Sequence, residues 1–230
     1  NKLCKQLDYF KQNPQFGLIH TCVDILYKGV ILPDKRKDYP EGKVFDIVSG
    51  YTIMNCSVIF RTKLLDYIDF KDFANQGLMS CDHVMYSIFS YYTQFGFLKD
   101  HTAIWRRGHE SVSHSISFEK QVKYIDNDIA AWKYLDRVFP DTASATEENL
   151  FIYRHSKIIR LAFNYGPRER VLCEAALLGA KGLSRSDRHR VVISQSYLLF
   201  TLWRVAKKVK TFLKLSWYRF LGPHIQIHPF

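Results

Sequence analysis

Apolar side chains recur at helical spacing in the first residues, where Leu3, Leu7 and Phe10 share a face, and the Asn13, Pro14 and Gly17 region closes that helix. The period then changes. Gly17 to Leu32 (GLIHTCVDILYKGVIL) is rich in β-branched and apolar residues and predicts two strands joined by a turn at Lys28-Gly29. Pro33 to Lys43, charged and holding two prolines and a glycine, predicts a loop. A short helix is expected over Val44 to Gly50, a strand over Thr52 to Arg61, a helix near Lys63 to Tyr67 and a loop over Gly77 to Cys81. Val84, Met85, Ile88, Phe89 and Tyr92 form one helical face, so Asp82 to Tyr92 reads as a helix with Ser80 as its N-cap. Phe95 to Trp105 returns as a strand, and Arg106 to Ser117 is a polar loop rich in Ser and His.

Beyond residue 118 the pattern is almost wholly helical, over Glu119 to Val138, Glu147 to Phe163, Arg168 to Ala180 and Ser194 to Leu221. Breaks fall at Pro140, Gly166-Pro167 and Gly182. The expected class is therefore α/β, with a mixed sheet and flanking helices over residues 1–117 and an all-helical region over 118–230.

Composition supports a folded chain: 47% of the 230 residues are hydrophobic, enough for one large domain or two small ones. The net charge of +11 is unevenly placed. Residues 1–150 carry 18 Lys/Arg and 19 Asp/Glu, while residues 151–230 carry 15 and 3, so all of the positive excess lies in the last third. Such asymmetry points one segment at a polyanion, either nucleic acid or anionic lipid. Five widely spaced cysteines without a C-x-x-C pair predict reduced thiols and a cytoplasmic setting. No apolar run approaches the roughly 20 residues of a membrane span. The chain opens on Asn1 in a charged stretch, so a processed start or an origin inside a longer chain is expected.

Taken in order, several segments resemble the family 2 glycosyltransferases of the GT-A fold. Lys2 to Thr21 (KLCKQLDYFKQNPQFGLIHT) is similar to the helix and strand that follow that family's Asp-x-Asp. Asn55 to Phe70 resembles its strand ending in Arg with a bulky acceptor-side element. Ser80 to Arg107 resembles the helix opened by the base aspartate, a return strand and an aromatic-Arg pair, and Ser111 to Ser115 matches the Ser-x-Ser that trails it. Two departures accompany this resemblance. The sugar-nucleotide half and its Asp-x-Asp precede the first residue here, and the usual Tyr-Arg is Trp105-Arg106, with His109 one place from the family histidine.

The resemblance implies residues 1–117 as the acceptor-side half of a GT-A domain, performing inverting transfer from a nucleoside-diphosphate sugar to a glycan, lipopolysaccharide or glycolipid acceptor. Asp82 would be the base, and a divalent metal, Mg or Mn, is expected for the full-length enzyme with its ligands outside this chain. Arg106 would meet donor phosphates or acceptor, Trp105 would stack on a ring, and Asn55 and Arg61 would flank the acceptor cleft. His109 and His114 would lie near a phosphate or metal. Each has a plainer reading: Asp82 as a helix-dipole partner, Arg106 as a surface cation, Trp105 as core, Asn55 as a turn residue, Arg61 as an edge cation, and the histidines as solvated. Thr21 and Asp24 belong to the strand after the metal motif and also suit a sheet edge.

Within Ser194 to Leu221, Leu198, Leu202, Val205, Val209, Phe212 and Phe220 make one stripe, and Arg204, Lys207, Lys208, Lys210 and Lys214 occupy much of the opposite side. This basic amphipathic helix suits an anionic membrane on the inner face of the cell, or packing of the stripe on the domain with the charges solvated. The competing class is a noncatalytic module binding nucleic acid or a membrane surface. For nucleic acid only charge speaks, since no helix-turn-helix, zinc or RNP-like motif is present.

Overall fold

The computed structural model describes residues 1–34, 41–42, 53–79, 81–107, 117–142 and 146–221. The expected helix at Val44 to Gly50, the Ser80 cap, and the loop residues His109, His114 and Ser111 to Ser115 lie outside the described residues. The class is α/β, with a small mixed four-stranded sheet and mostly helical content. The residues fall into two compact units, one formed by Asn1–His109 with Tyr218–Phe230 and the other by Glu110–Trp217.

The first unit opens with α1 (Lys2–Gln12), whose N-terminus is capped by the Asn1 side chain accepting from the Leu3 amide at 3.1 Å. β1 (Phe16–Tyr27) is the spine of the sheet. On one edge it pairs antiparallel with β2 (Val30–Leu32) and β3 (Ile59–Phe60); on the other it pairs in parallel with the long β4 (Gln94–Arg107). Lys28 and Gly29, both at positive φ (50° and 76°), make the tight turn that the sequence predicts between β1 and β2. The β1–β4 register shifts near Phe16 and on either side of Cys22. Against the sheet, Phe10, Phe16 and Ile19 pack with Tyr9, Ile59 and Leu98. Tyr9 and Phe16 stack with centroids 5.7 Å apart, over a position where a Cβ on Gly96 would meet their rings at 2.7–2.8 Å.

The expected strand over Thr52 to Arg61 is mostly absent. Asn55–Ser57 is a 3₁₀ turn, and only Ile59–Phe60 pairs. The cause is local: the Ser57 amide and hydroxyl both donate to the Met54 carbonyl, at 2.8 and 2.7 Å, closing a turn where a ladder would otherwise run. A second 3₁₀ segment covers Thr62–Tyr67, and α2 (Phe70–Asn75) follows, capped by Asp69 accepting from Lys71 and Asp72 amides. α3 (Cys81–Tyr92) then leads into β4, completing a β-α-β crossover from β1.

The second unit holds α4 (Phe118–Val138), α5 (Glu147–Tyr165), α6 (Arg168–Gly182), α7 (Arg185–Gln195) and, as far as Trp217, α8 (Tyr197–Leu221). Ile159, Ala162, Phe163, Val171, Ala175 and Phe200 form its core. Gly179 (φ 63°) bends α6. The sequence reading misses α7, which begins in a capping arrangement: Ser184 Oγ accepts from the Asp187 amide at 3.1 Å and donates to the Asp187 carboxylate. It also runs Ser194 to Leu221 as one helix. The break comes at Ser196, whose backbone is extended and whose Oγ accepts from the Leu199 amide.

The orientation of α8 departs from the packing expected for an amphipathic helix. Two of its cations, Arg204 and Lys207, are turned inward. Arg204 donates from Nη2 to the Ala162 carbonyl at 2.8 Å and to Gly166, and from Nε to Phe163 at 3.3 Å. These carbonyls lie in the last turn and cap of α5; that of Ala162 also accepts from the Gly166 amide at 2.9 Å. Lys207 donates to the Asn164 side chain and lies over the Tyr165 and Trp203 rings. Burial lowers the pKa of both cations. By contrast, Leu198, Leu202, Val205, Val209, Phe212 and Phe220 are each 50–78% exposed.

Candidate functional site

Helix α3 buries Val84, Ile88 and Phe89, which fixes its rotation and leaves Asp82 half-buried in the first turn. A carboxylate there sits at the positive end of the helix dipole. Because α3 runs directly into β4, Asp82 lies at the end of the helix away from that connection.

Asn55 reaches Asp82 from the 3₁₀ turn, donating from Nδ2 to Oδ2 at 2.6 Å. The His83 amide donates to Oδ1 at 3.0 Å. Tyr86, one helical turn beyond Asp82, donates its hydroxyl to Asn55 Oδ1, so the amide is held from both sides. Burial, with the Asp82 charge and Cys56 adding to it, pushes the Tyr86 phenol above its usual range, which keeps it a donor. The turn carrying Asn55 is itself fastened to α1: Gln6 donates to the Ser57 carbonyl at 2.8 Å, and Lys2 to that of Cys56 at 2.5 Å. The result is a carboxylate with a fixed orientation and lone pairs left for a proton from a bound hydroxyl. Sequence reading did not find Tyr86, although its i+4 spacing from Asp82 was visible.

Of the other expected site residues, Arg61 is placed structurally. Its guanidinium donates to the Phe16 carbonyl at 2.9 Å and the Phe10 carbonyl at 3.4 Å, and lies 4.6 Å from the Phe10 ring centroid. Trp105 lies in the strand as expected, and Arg106, expected to open a loop, lies in β4 as well, since the strand runs on through Arg107. Alternation sends them to opposite faces; it is Arg107 that shares Trp105's face, with its guanidinium 5.6 Å from the ring centroid. His109 lies outside the described residues. Asp24 accepts from the Asp34 amide and is paired at 2.6 Å with Nδ1 of His101 on β4, while Thr21 is bonded to Thr102 at 2.6 Å. A buried set in the second unit was also missed: Glu174 is bonded to His155 and, at 2.6 Å, to Arg170, tying α5 to α6.

Among the described residues, no group of three or more His, Cys, Asp or Glu side chains is arranged to hold a metal ion. Comparison with protein-family models, curated proteins and solved structures gave no match.

Proposed function

We propose that the chain carries the acceptor side of an inverting glycosyltransferase, on a GT-A-like framework, moving a sugar from a nucleoside-diphosphate donor to a glycan, lipopolysaccharide or glycolipid. The observation that supports this reading is the oriented carboxylate of Asp82, held by Asn55 at the start of the crossover helix. In the transfer, Asp82 accepts the proton of an acceptor hydroxyl as that oxygen bonds to the anomeric carbon. The bond from the anomeric carbon to the diphosphate oxygen breaks, its electron pair leaves with the nucleoside diphosphate, and the configuration inverts. Asn55 and Tyr86 hold the carboxylate in line with the acceptor.

The test is release of nucleoside diphosphate from a panel of sugar nucleotides by the complete gene product, with glycan and lipid-linked acceptors. Asp82→Asn lowers acceptor-dependent release by about 10²- to 10⁴-fold while donor binding persists. Wild-type turnover in that variant removes Asp82 as base. No release from any donor by the wild-type protein removes the glycosyltransferase reading.

A further inference from the structure

We infer that α8 docks the protein on an anionic lipid surface through the apolar stripe it leaves uncovered. Leu198, Leu202, Val205, Val209 and Phe212, with Leu213 beside them, recur at helical spacing and are all at least half exposed. Over residues 198–213 the stripe runs for about 22 Å at the helical rise. Such a contiguous apolar strip on a helix is the mark of an interaction surface.

Charge decides what covers it. Lys208 borders the stripe on one side and Lys210 and Lys214 on the other, all three exposed, and α8 contains no Asp or Glu. Two copies meeting stripe to stripe would set lysines against lysines with no acidic partner, which disfavours a second copy of this chain. Nucleic acid would engage the lysines and leave the apolar side chains in water. Anionic phospholipid satisfies both parts: acyl chains take the stripe, and headgroup phosphates take the flanking cations. Trp217, 62% exposed at the stripe's edge, suits the headgroup layer. The helix lies on the surface and does not cross it, since no described helix is long and apolar enough to span a membrane. The inward turn of Arg204 and Lys207 holds this face outward, so the inference is independent of the chemistry at Asp82.

Co-sedimentation of the whole protein with phosphatidylcholine vesicles, with and without phosphatidylglycerol, tests it. Retention is expected on the anionic vesicles, weakening with salt. Each of Lys208, Lys210 and Lys214 changed to Gln weakens it about fivefold. Leu202→Ser, Val209→Ser and Phe212→Ser together weaken it a further hundredfold or more, with an unchanged melting temperature because these positions are exposed. Equal retention on neutral vesicles, no retention on either, or a dimer that dissociates in the triple-serine variant overturns the inference. So does oligonucleotide binding that the triple-serine variant leaves intact while vesicles fail to bind.

Discussion

The side-chain amide of Asn55 donates to Oδ2 of Asp82 across 2.6 Å, joining a 3₁₀ turn to the first turn of a helix 27 positions later. The bond makes the carboxylate's direction a property of two elements. Asn55→Ala should therefore lower acceptor-dependent turnover by tenfold or more through kcat, with little change in acceptor KM and a stability cost of about 1 kcal/mol. Asn55→Asp sets a second carboxylate against Asp82 and should shift the acid limb of the pH–rate profile upward. An unchanged profile in both variants would assign Asn55 to the turn alone.

Arg61 and Arg204 use their guanidinium groups alike, on backbone carbonyls near the ends of α1 and α5. Arg61→Met should cost about 1–3 kcal/mol in urea unfolding, from the carbonyls left without a donor, and should leave acceptor KM unchanged. A raised KM at wild-type stability would restore Arg61 to the acceptor site.

Glu174 is 1% exposed and bonded to both His155 and Arg170. Glu174→Ala removes the common acceptor and should destabilise the protein by about 3 kcal/mol. Adding His155→Leu should recover part of that loss, because the stranded polar ring goes with it; chemical denaturation of the two variants measures the difference.

Tyr86 and Tyr153 both have phenols raised above the usual 10.0, in each case by burial first and then by a nearby carboxylate, Asp82 or Asp128. The unfolded chain loses these protons first. The stability they contribute is fully present below pH 10 and is lost as pH rises above it, at up to about 1.4 kcal/mol per pH unit for each phenol. Tyr153→Phe should flatten the alkaline fall of the melting temperature, and an unaltered slope would show that the phenol titrates normally.

The regular elements were legible because their signals are local. Lys28-Gly29 announces its turn by the backbone it requires, and the stripe Val84, Ile88, Phe89 announces α3. What escaped depends on partners. The Thr52 to Arg61 run has strand composition, yet Ser57 bonds back on Met54 and converts most of it to a turn. Ser196 ends one helix and begins another without a proline or glycine to mark it. At the site, the helical start places Asp82, but the approach of Asn55 follows from α1 holding its turn through Gln6, which no spacing encodes. Periodicity likewise shows which residues of α8 share a side, not which side meets the protein. The carbonyls at the end of α5 take Arg204 inward, a pairing that arises only in three dimensions.

The fastening of Arg204 and Lys207 to the end of α5 has a kinetic consequence. A hydrophobic face held outward in the resting protein needs no opening step before contact, so no fraction of the population waits in a closed form. Association of α8 with vesicles then follows encounter alone. Its observed rate should rise in proportion to lipid concentration, without the plateau that a preceding conformational change imposes.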